Sequence, residues 1–212
     1  MNSREVTLHN SQDSVLKAIR NLYLPKGPYL DPTYSKGLIY KSGAMPYPVH
    51  RSDLVPQYPS VTQTDCRNLS FNKGSVPSIM FDPPFTVAAG KKSIIGNRFS
   101  SPETILELHA FYSAAVKEFH RVLERGGILV VKIMDTVSSG KQHRNTFRIW
   151  DCATYYGLID QDWLICPNKS TLVGHNWGRQ VHAQKTHVNW LVFQKAPKRK
   201  NQVLPELLPD LP

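Results

Sequence analysis

The stretch that most constrains this chain is its middle, SPETILELHAFYSAAVKEFHRVLERGGILVVKIMD (101–135). Ile105, Leu108, Tyr112, Ala115, Phe119 and Val122 recur every three or four residues, which places them on one face of a helix. Ser100 and Glu103 have the spacing of a capping box, Pro102 suits a first turn, and Gly126-Gly127 end the helix. ILVVKIMD (128–135) then follows as a nearly unbroken apolar, β-branched run. Such a run leaves no face for water, so it belongs in the centre of a parallel sheet covered on both sides. A helix feeding directly into such a strand demands an α/β architecture.

The remaining segments agree. SQDSVLKAIRNLYL (11–24) has helical spacing behind a Ser11 cap, and RNTFRIWDCATYYG (144–157) reads as a helix closed by Gly157. GPYLDPTYSKG (27–37) predicts a short strand ending at Asp31-Pro32. PSVTQTD (59–65) and VPSIMFD (76–82) read as further strands, each ending in an acid. Asp53 falls in a connecting segment. LIDQDWLICP and HVNWLVFQK predict a late pair of strands. The pattern implies a mostly parallel central sheet with helices on both faces and a late antiparallel strand. In such sheets ligands bind at the carboxyl ends of the strands. No internal repeat is visible. Residues 1–196 read as a single domain, and 197–212 as a basic, proline-rich tail expected to be disordered.

Charge narrows the partners. Lys and Arg number 26 against 16 Asp and Glu, a formal charge of +10 with pI near 9.6. That excess suits either a polyanionic partner or a solvated basic surface. Part of it lies in KAPKRK (195–200). Cys66, Cys152 and Cys166 form no C-x-x-C pair, so neither a disulfide framework nor a structural zinc site is predicted. His182 and His187, five apart, fit no metal motif. With no apolar run of membrane-spanning length and no charged-then-apolar leader, a soluble cytoplasmic protein is the simplest reading.

VPSIMFDPPF (76–85) is the most chemically specific segment. Two prolines cannot donate to a sheet ladder, so the strand must stop near Asp82 and give way to a stiff turn. Asp31 and Asp65 end other strands at the same sheet edge, which predicts one crevice shared by these carboxylates. With FDPPF and EFHRVLERGGILVVKIMD, this arrangement resembles the S-adenosylmethionine-dependent DNA amino-methyltransferases, over roughly residues 11–196. The resemblance implies a Rossmann-like class I methyltransferase fold. It also implies methyl transfer to the exocyclic amino group of a base in DNA, adenine favoured over cytosine because the motif begins with Asp. The same motif serves RNA methyltransferases, and a nucleic-acid-binding relic without cofactor binding is a rival reading.

Each residue then has an implied role. Asp82 and a main-chain carbonyl of the turn, that of Pro83, would accept from the target amine. Pro83 and Pro84 would hold the turn rigid, and Phe85 would stack on an extruded base. On the cofactor side, Asp31, Pro32 and Gly37 would flank the methionine moiety. Asp53 would accept from the ribose hydroxyls, and Asp65 with Cys66 would contact the adenine. The turn LDPTYSKG departs from the family by carrying one glycine where two or three are usual. Lys91, Lys92 and Arg98 in the 86–100 loop, Lys132 at the end of the Val-rich strand, and Arg144 are the candidate substrate-binding cations. No metal and no membrane is implied.

Overall fold

The computed structural model describes residues 4–87, 102–138, 140–168 and 182–197. In chain order these form α1 (Gln12–Leu22), β1 (Leu30–Asp31), a 3₁₀ turn (Leu38–Tyr40), β2 (His50–Asp53), β3 (Thr62–Gln63) and β4 (Val76–Phe81). Then come α2 (Ile105–Val122), β5 (Leu123–Ile133), β6 (Thr136–Ser138), β7 (Lys141–His143), α3 (Asn145–Tyr155), β8 (Leu158–Pro167) and β9 (His187–Lys195). Seven strands make one sheet in the order β3-β2-β1-β4-β5-β9-β8. The first five run parallel, and β9 is antiparallel to both β5 and β8.

The apolar run of β5 does what its composition requires. Leu129, Val131 and Ile133 face one side, where Ile79 and Phe81 of β4 and Leu191 and Phe193 of β9 join them under Tyr112 and Phe119 of α2. Ile128 and Val130 face the other side with Met80, Trp190 and Val192, beneath Leu16 and Ile19 of α1. All of these side chains are buried. Strict alternation between two covered faces is why the strand needs no polar residue along most of its length.

Helix ends follow from local hydrogen bonds. The Ser11 hydroxyl accepts from the Ser14 amide at 3.2 Å, as its cap position predicts. The capping box of α2, however, is formed by Thr104 and Glu107: the Thr104 hydroxyl accepts from the Glu107 amide and the Glu107 carboxylate accepts from the Thr104 amide. Ser100, the expected cap, lies outside the described residues.

Gly126-Gly127 also differ from expectation. The helix ends at Val122, and the glycines lie inside β5, where its pairing with β4 shifts register between Val76 and Ser78. A Cβ on Gly127 would meet the Glu124 carbonyl oxygen at 2.9 Å and that of Pro77 at 3.1 Å. The glycine therefore permits a close backbone approach at an irregular strand rather than ending a helix.

Three strands escape the sequence reading. His50–Asp53 is a strand and not a connector; its HRSD sequence buries only Ser52 and so has no hydrophobic alternation. The strand predicted over 59–65 shrinks to Thr62–Gln63, both exposed at the sheet edge. Thr136–Ser138 and Lys141–His143 form a separate antiparallel hairpin. No helix among the described residues is long and apolar enough to cross a membrane.

Candidate active site

Strand order reverses at β1 and β4, which are neighbours although the chain places β2 and β3 between them. Connections leave a parallel sheet in opposite directions at such a point and open a crevice at the strands' carboxyl ends. Asp31 is the last residue of β1, and Asp82 directly follows β4. Thr33 joins the two: its hydroxyl accepts from the Asp82 amide at 3.0 Å, and its own amide donates to Asp31 Oδ1 at 2.9 Å.

Asp82 is a quarter exposed, and its Oδ2 accepts from Lys132 Nζ at 3.0 Å. Lys132, projecting from the next strand, also lies 5.9 Å from the centroid of the Trp190 ring. An ammonium wedged between a carboxylate and an aromatic face has little rotational freedom, so Oδ2 is fixed. Among the described residues Oδ1 has no hydrogen-bond partner.

The turn beyond Asp82 is anchored through its carbonyls. The Tyr112 hydroxyl donates to the Pro84 oxygen at 2.7 Å, and Asn145 Nδ2 donates to the Phe85 oxygen at 2.9 Å. The Pro83 carbonyl accepts no hydrogen bond among the described residues. Pro83 is buried, whereas Pro84 and Phe85 are part-exposed, with Phe85 resting one side against the core.

The turn after β1 is built from aromatic side chains. Asp31 is 1% exposed, and its Oδ2 accepts from the Tyr40 hydroxyl at 2.7 Å. Burial pushes its carboxyl up to about 7; the Tyr40 and Thr33 hydrogen bonds oppose that rise, and the charges of Asp82 and Asp53 add to it. Tyr34 stacks on Tyr40 with centroids 5.8 Å apart. Gly37 sits beneath Tyr34 at φ 62°, and a Cβ there would meet the Tyr34 ring at 2.4 Å. Gly37 is therefore the one position of the turn where the Tyr34 ring leaves no room for a side chain. Pro32 is buried beside it. Gly37→Ala should destabilise the fold by at least ~1 kcal/mol, since the left-handed conformation alone costs that much for an L-residue; thermal unfolding measures it.

Asp53 closes the turn from β2. Its Oδ2 accepts from the Ser35 amide at 2.8 Å and its Oδ1 from the Val55 amide at 2.9 Å. Asp65, beyond β3, is gripped by Arg67, whose guanidinium reaches Oδ2 at 2.6 Å and holds the carboxyl below its usual range. The Cys66 thiol beside it is buried and pushed up to about 12, chiefly by burial. Asp31, Asp53, Asp82 and Lys132 are therefore linked through the loops at one sheet edge. Arg144 is exposed, immediately before Asn145. Lys91, Lys92, Arg98 and most of the 86–100 loop lie outside the described residues. Thr33, Tyr40, Tyr112 and Asn145 are additions that no motif announced. Among the described residues no group of His, Cys, Asp or Glu could hold a metal ion.

No protein-family model matches the sequence, and no characterised protein aligns with it significantly. Solved structures do match by fold. The 4+2 cyclase SpnF superposes with a TM-score of 0.56 at 13% identity, over 87% of this chain and 82% of that one. The 1,6-didemethyltoxoflavin-N1-methyltransferase of Burkholderia thailandensis, solved with its substrate and S-adenosylhomocysteine, gives 0.51 at 9% identity, over 88% and 79%. A candidate DNA modification methylase of Thermus thermophilus, solved with S-adenosyl-L-methionine, gives 0.46 at 18% identity over 74% of this chain. This chain spans 59% of the length of that methylase. The sheet order and the antiparallel β9 are those of the Rossmann-like class I methyltransferase fold. A cyclase and a methyltransferase share it, so the reaction has to be argued from the site.

Proposed function

We propose that this protein transfers a methyl group from S-adenosylmethionine to the exocyclic amino group of a base in DNA, with adenine the favoured base. The observation that carries the reading is the acceptor pair at the end of β4. Asp82 Oδ1 and the Pro83 carbonyl, on adjacent residues at the switch point, have no partners among the described residues while the groups around them do.

An aromatic amine is a poor nucleophile because its lone pair is delocalised into the ring. Two acceptors on its two N–H groups draw the nitrogen toward tetrahedral geometry and localise that pair. Asp82 and Pro83 supply them, and Lys132 fixes the rotation of the Asp82 carboxylate. Phe85 offers the exposed part of its ring to an extruded base, the way base-modifying enzymes hold a flipped nucleotide. No covalent enzyme intermediate is needed: as the nitrogen gains the methyl group it gives up one of its protons to the Asp82 carboxylate, and positioning supplies most of the rate.

The sheet edge fits S-adenosylmethionine, which when bound supplies an electrophilic methyl carbon and leaves as a neutral thioether with the C–S electron pair. The Asp53 carboxylate accepts only one amide on each oxygen and keeps lone pairs for the ribose hydroxyls. Asp31, buried and already hydrogen-bonded, shapes the turn with Pro32 and Gly37, so the methionine moiety lies on that turn's backbone. Asp65 and Cys66 flank the adenine from beyond β3. Arg144, with Lys91, Lys92 and Arg98 of the loop after the turn, supplies positive charge for the phosphates, consistent with the net charge of +10.

The acceptor pair reads the amine and not the sugar, which makes RNA the second reading. Incubation with methyl-labelled S-adenosylmethionine and either DNA or RNA, followed by mass spectrometry of the digest, is expected to yield N6-methyladenine in DNA. Label confined to RNA selects the second reading. No transfer, together with no heat of cofactor binding by calorimetry, leaves only a nucleic-acid-binding relic of the fold.

A further inference from the structure

The carbonyls of Pro83, Pro84 and Phe85 follow one another in the turn, and two of them are held from different helices. Tyr112 comes from α2 and Asn145 from the first position of α3. Both side chains are wholly buried. Asn145 Nδ2 also donates to the Met134 carbonyl at 3.0 Å, so one amide group ties the loop after β4 to the segment after β5. Its orientation is forced, because a flipped amide would set its oxygen against two carbonyl oxygens. Asn145 Oδ1 is buried and has no hydrogen-bond partner among the described residues. Among the described residues the buried Nε2 of His109 on α2 likewise makes no hydrogen bond. Burial first, and then the Arg148 charge, hold that imidazole below its usual pKa.

We infer that Tyr112 and Asn145 are positioning residues of the transfer reaction. By occupying the Pro84 and Phe85 carbonyls they lock the turn so that the Pro83 carbonyl, beside the Asp82 carboxylate, receives the target amine. The inference rests on the reading of Asp82–Phe85 as the catalytic turn. Neither residue touches substrate or cofactor; each acts through the backbone it holds. Without Tyr112 the Pro84 carbonyl competes for the same N–H, and the turn regains the freedom that its prolines restrict only at φ.

The test uses the full chain, with Tyr112→Phe, which keeps the ring, and Asn145→Asp, which keeps the shape but cannot donate when ionised. Single-turnover methyl transfer at saturating DNA and cofactor is measured per cofactor-binding site, so unfolded protein is not counted. Misplacement on the ångström scale costs up to about a hundredfold in rate, so Tyr112→Phe is expected to slow transfer by about tenfold or more. Cofactor affinity and the KM for DNA should stay within about a factor of two, the signature of an interaction used only in the transition state. The double variant should lose less than the product of the single losses, because both residues act on one turn. A Tyr112→Phe protein as fast per site as the unchanged one overturns the inference. So does a loss matched by an equal loss of cofactor affinity, which would mark a merely structural role. An unchanged protein that methylates neither DNA nor RNA refutes the parent reading instead.

Discussion

Replacing Asp82 by alanine is expected to lower the single-turnover rate of methyl transfer by about a hundredfold or more, the usual cost of removing one transition-state hydrogen-bond partner. Cofactor affinity should stay close to that of the unchanged protein. Asp82 lies at the end of β4, with Oδ2 held by Lys132 and Oδ1 free among the described residues, and it touches the β1 turn only through its backbone amide and Thr33. Its side chain can therefore be removed without breaking a hydrogen bond to Asp31 or Asp53, although losing its charge eases the upward shift of the Asp31 carboxyl. Truncation also leaves Lys132 without its carboxylate, at a site where its side chain is 19% exposed. That stranded charge costs stability, so the rate must again be counted per cofactor-binding site. Asp82→Asn discriminates further: it restores volume but gives one of the two oxygens' places to an amide donor. If alanine retains near-normal turnover, Asp82 is a strand-end ion pair and the proposed reaction has lost its acceptor.

The parts of this molecule that were readable in advance are those where one physical requirement dominates the sequence. β5 had to be central because its apolar run had no polar face, and α2 had to be amphipathic because its apolar residues step by three and four. The Asp82-Pro83-Pro84-Phe85 turn had to end β4 because prolines cannot donate. Elements with mixed requirements were not readable. β2 is an HRSD segment near the sheet's edge with one buried residue, so no periodicity betrays it. The Gly126-Gly127 pair looks like a helix stop because glycine suits both a left-handed cap and a tight backbone contact, and only the structure distinguishes them. Long-range hydrogen bonds are the least legible. Asn145 reads as an ordinary helix-start residue, and nothing local says that its amide reaches the Phe85 carbonyl, 60 positions earlier. The turn after β1 is intermediate: its single glycine is visible, but what requires it is Tyr34, folded over Gly37 and stacked on Tyr40.

That tyrosine-built turn gives the fold a dependence on pH opposite to the one usual for carboxylates. Asp31 is buried, and its carboxyl is pushed up to about 7 from an ordinary value of 3.8. Burial is the main cause, and the charges of Asp82 and Asp53 add to it. The hydrogen bonds from Tyr40 and Thr33 oppose it without cancelling it. A folded-state pKa above the unfolded one means that the folded protein holds the proton more tightly. The contribution of Asp31 is thus fully present below about 3.8, and it is lost as pH rises toward about 7. Above that, the folded state must bury a charge which the unfolded chain keeps in water. At one pKa unit per ~1.4 kcal/mol, the full difference reaches about 4 kcal/mol as an upper bound. Asp31→Asn removes the titration and keeps the shape. Its oxygen can still accept from the Thr33 amide, and its NH₂ can donate to the Tyr40 hydroxyl, which turns to accept. Urea unfolding of both proteins from about pH 5 to about pH 8.5 should show Asp31→Asn gaining on the unchanged protein as pH rises, with the gap levelling off above about pH 7. Parallel stability curves would mean that Asp31 keeps one charge state across that range, and that the Tyr40 and Thr33 hydrogen bonds outweigh its burial.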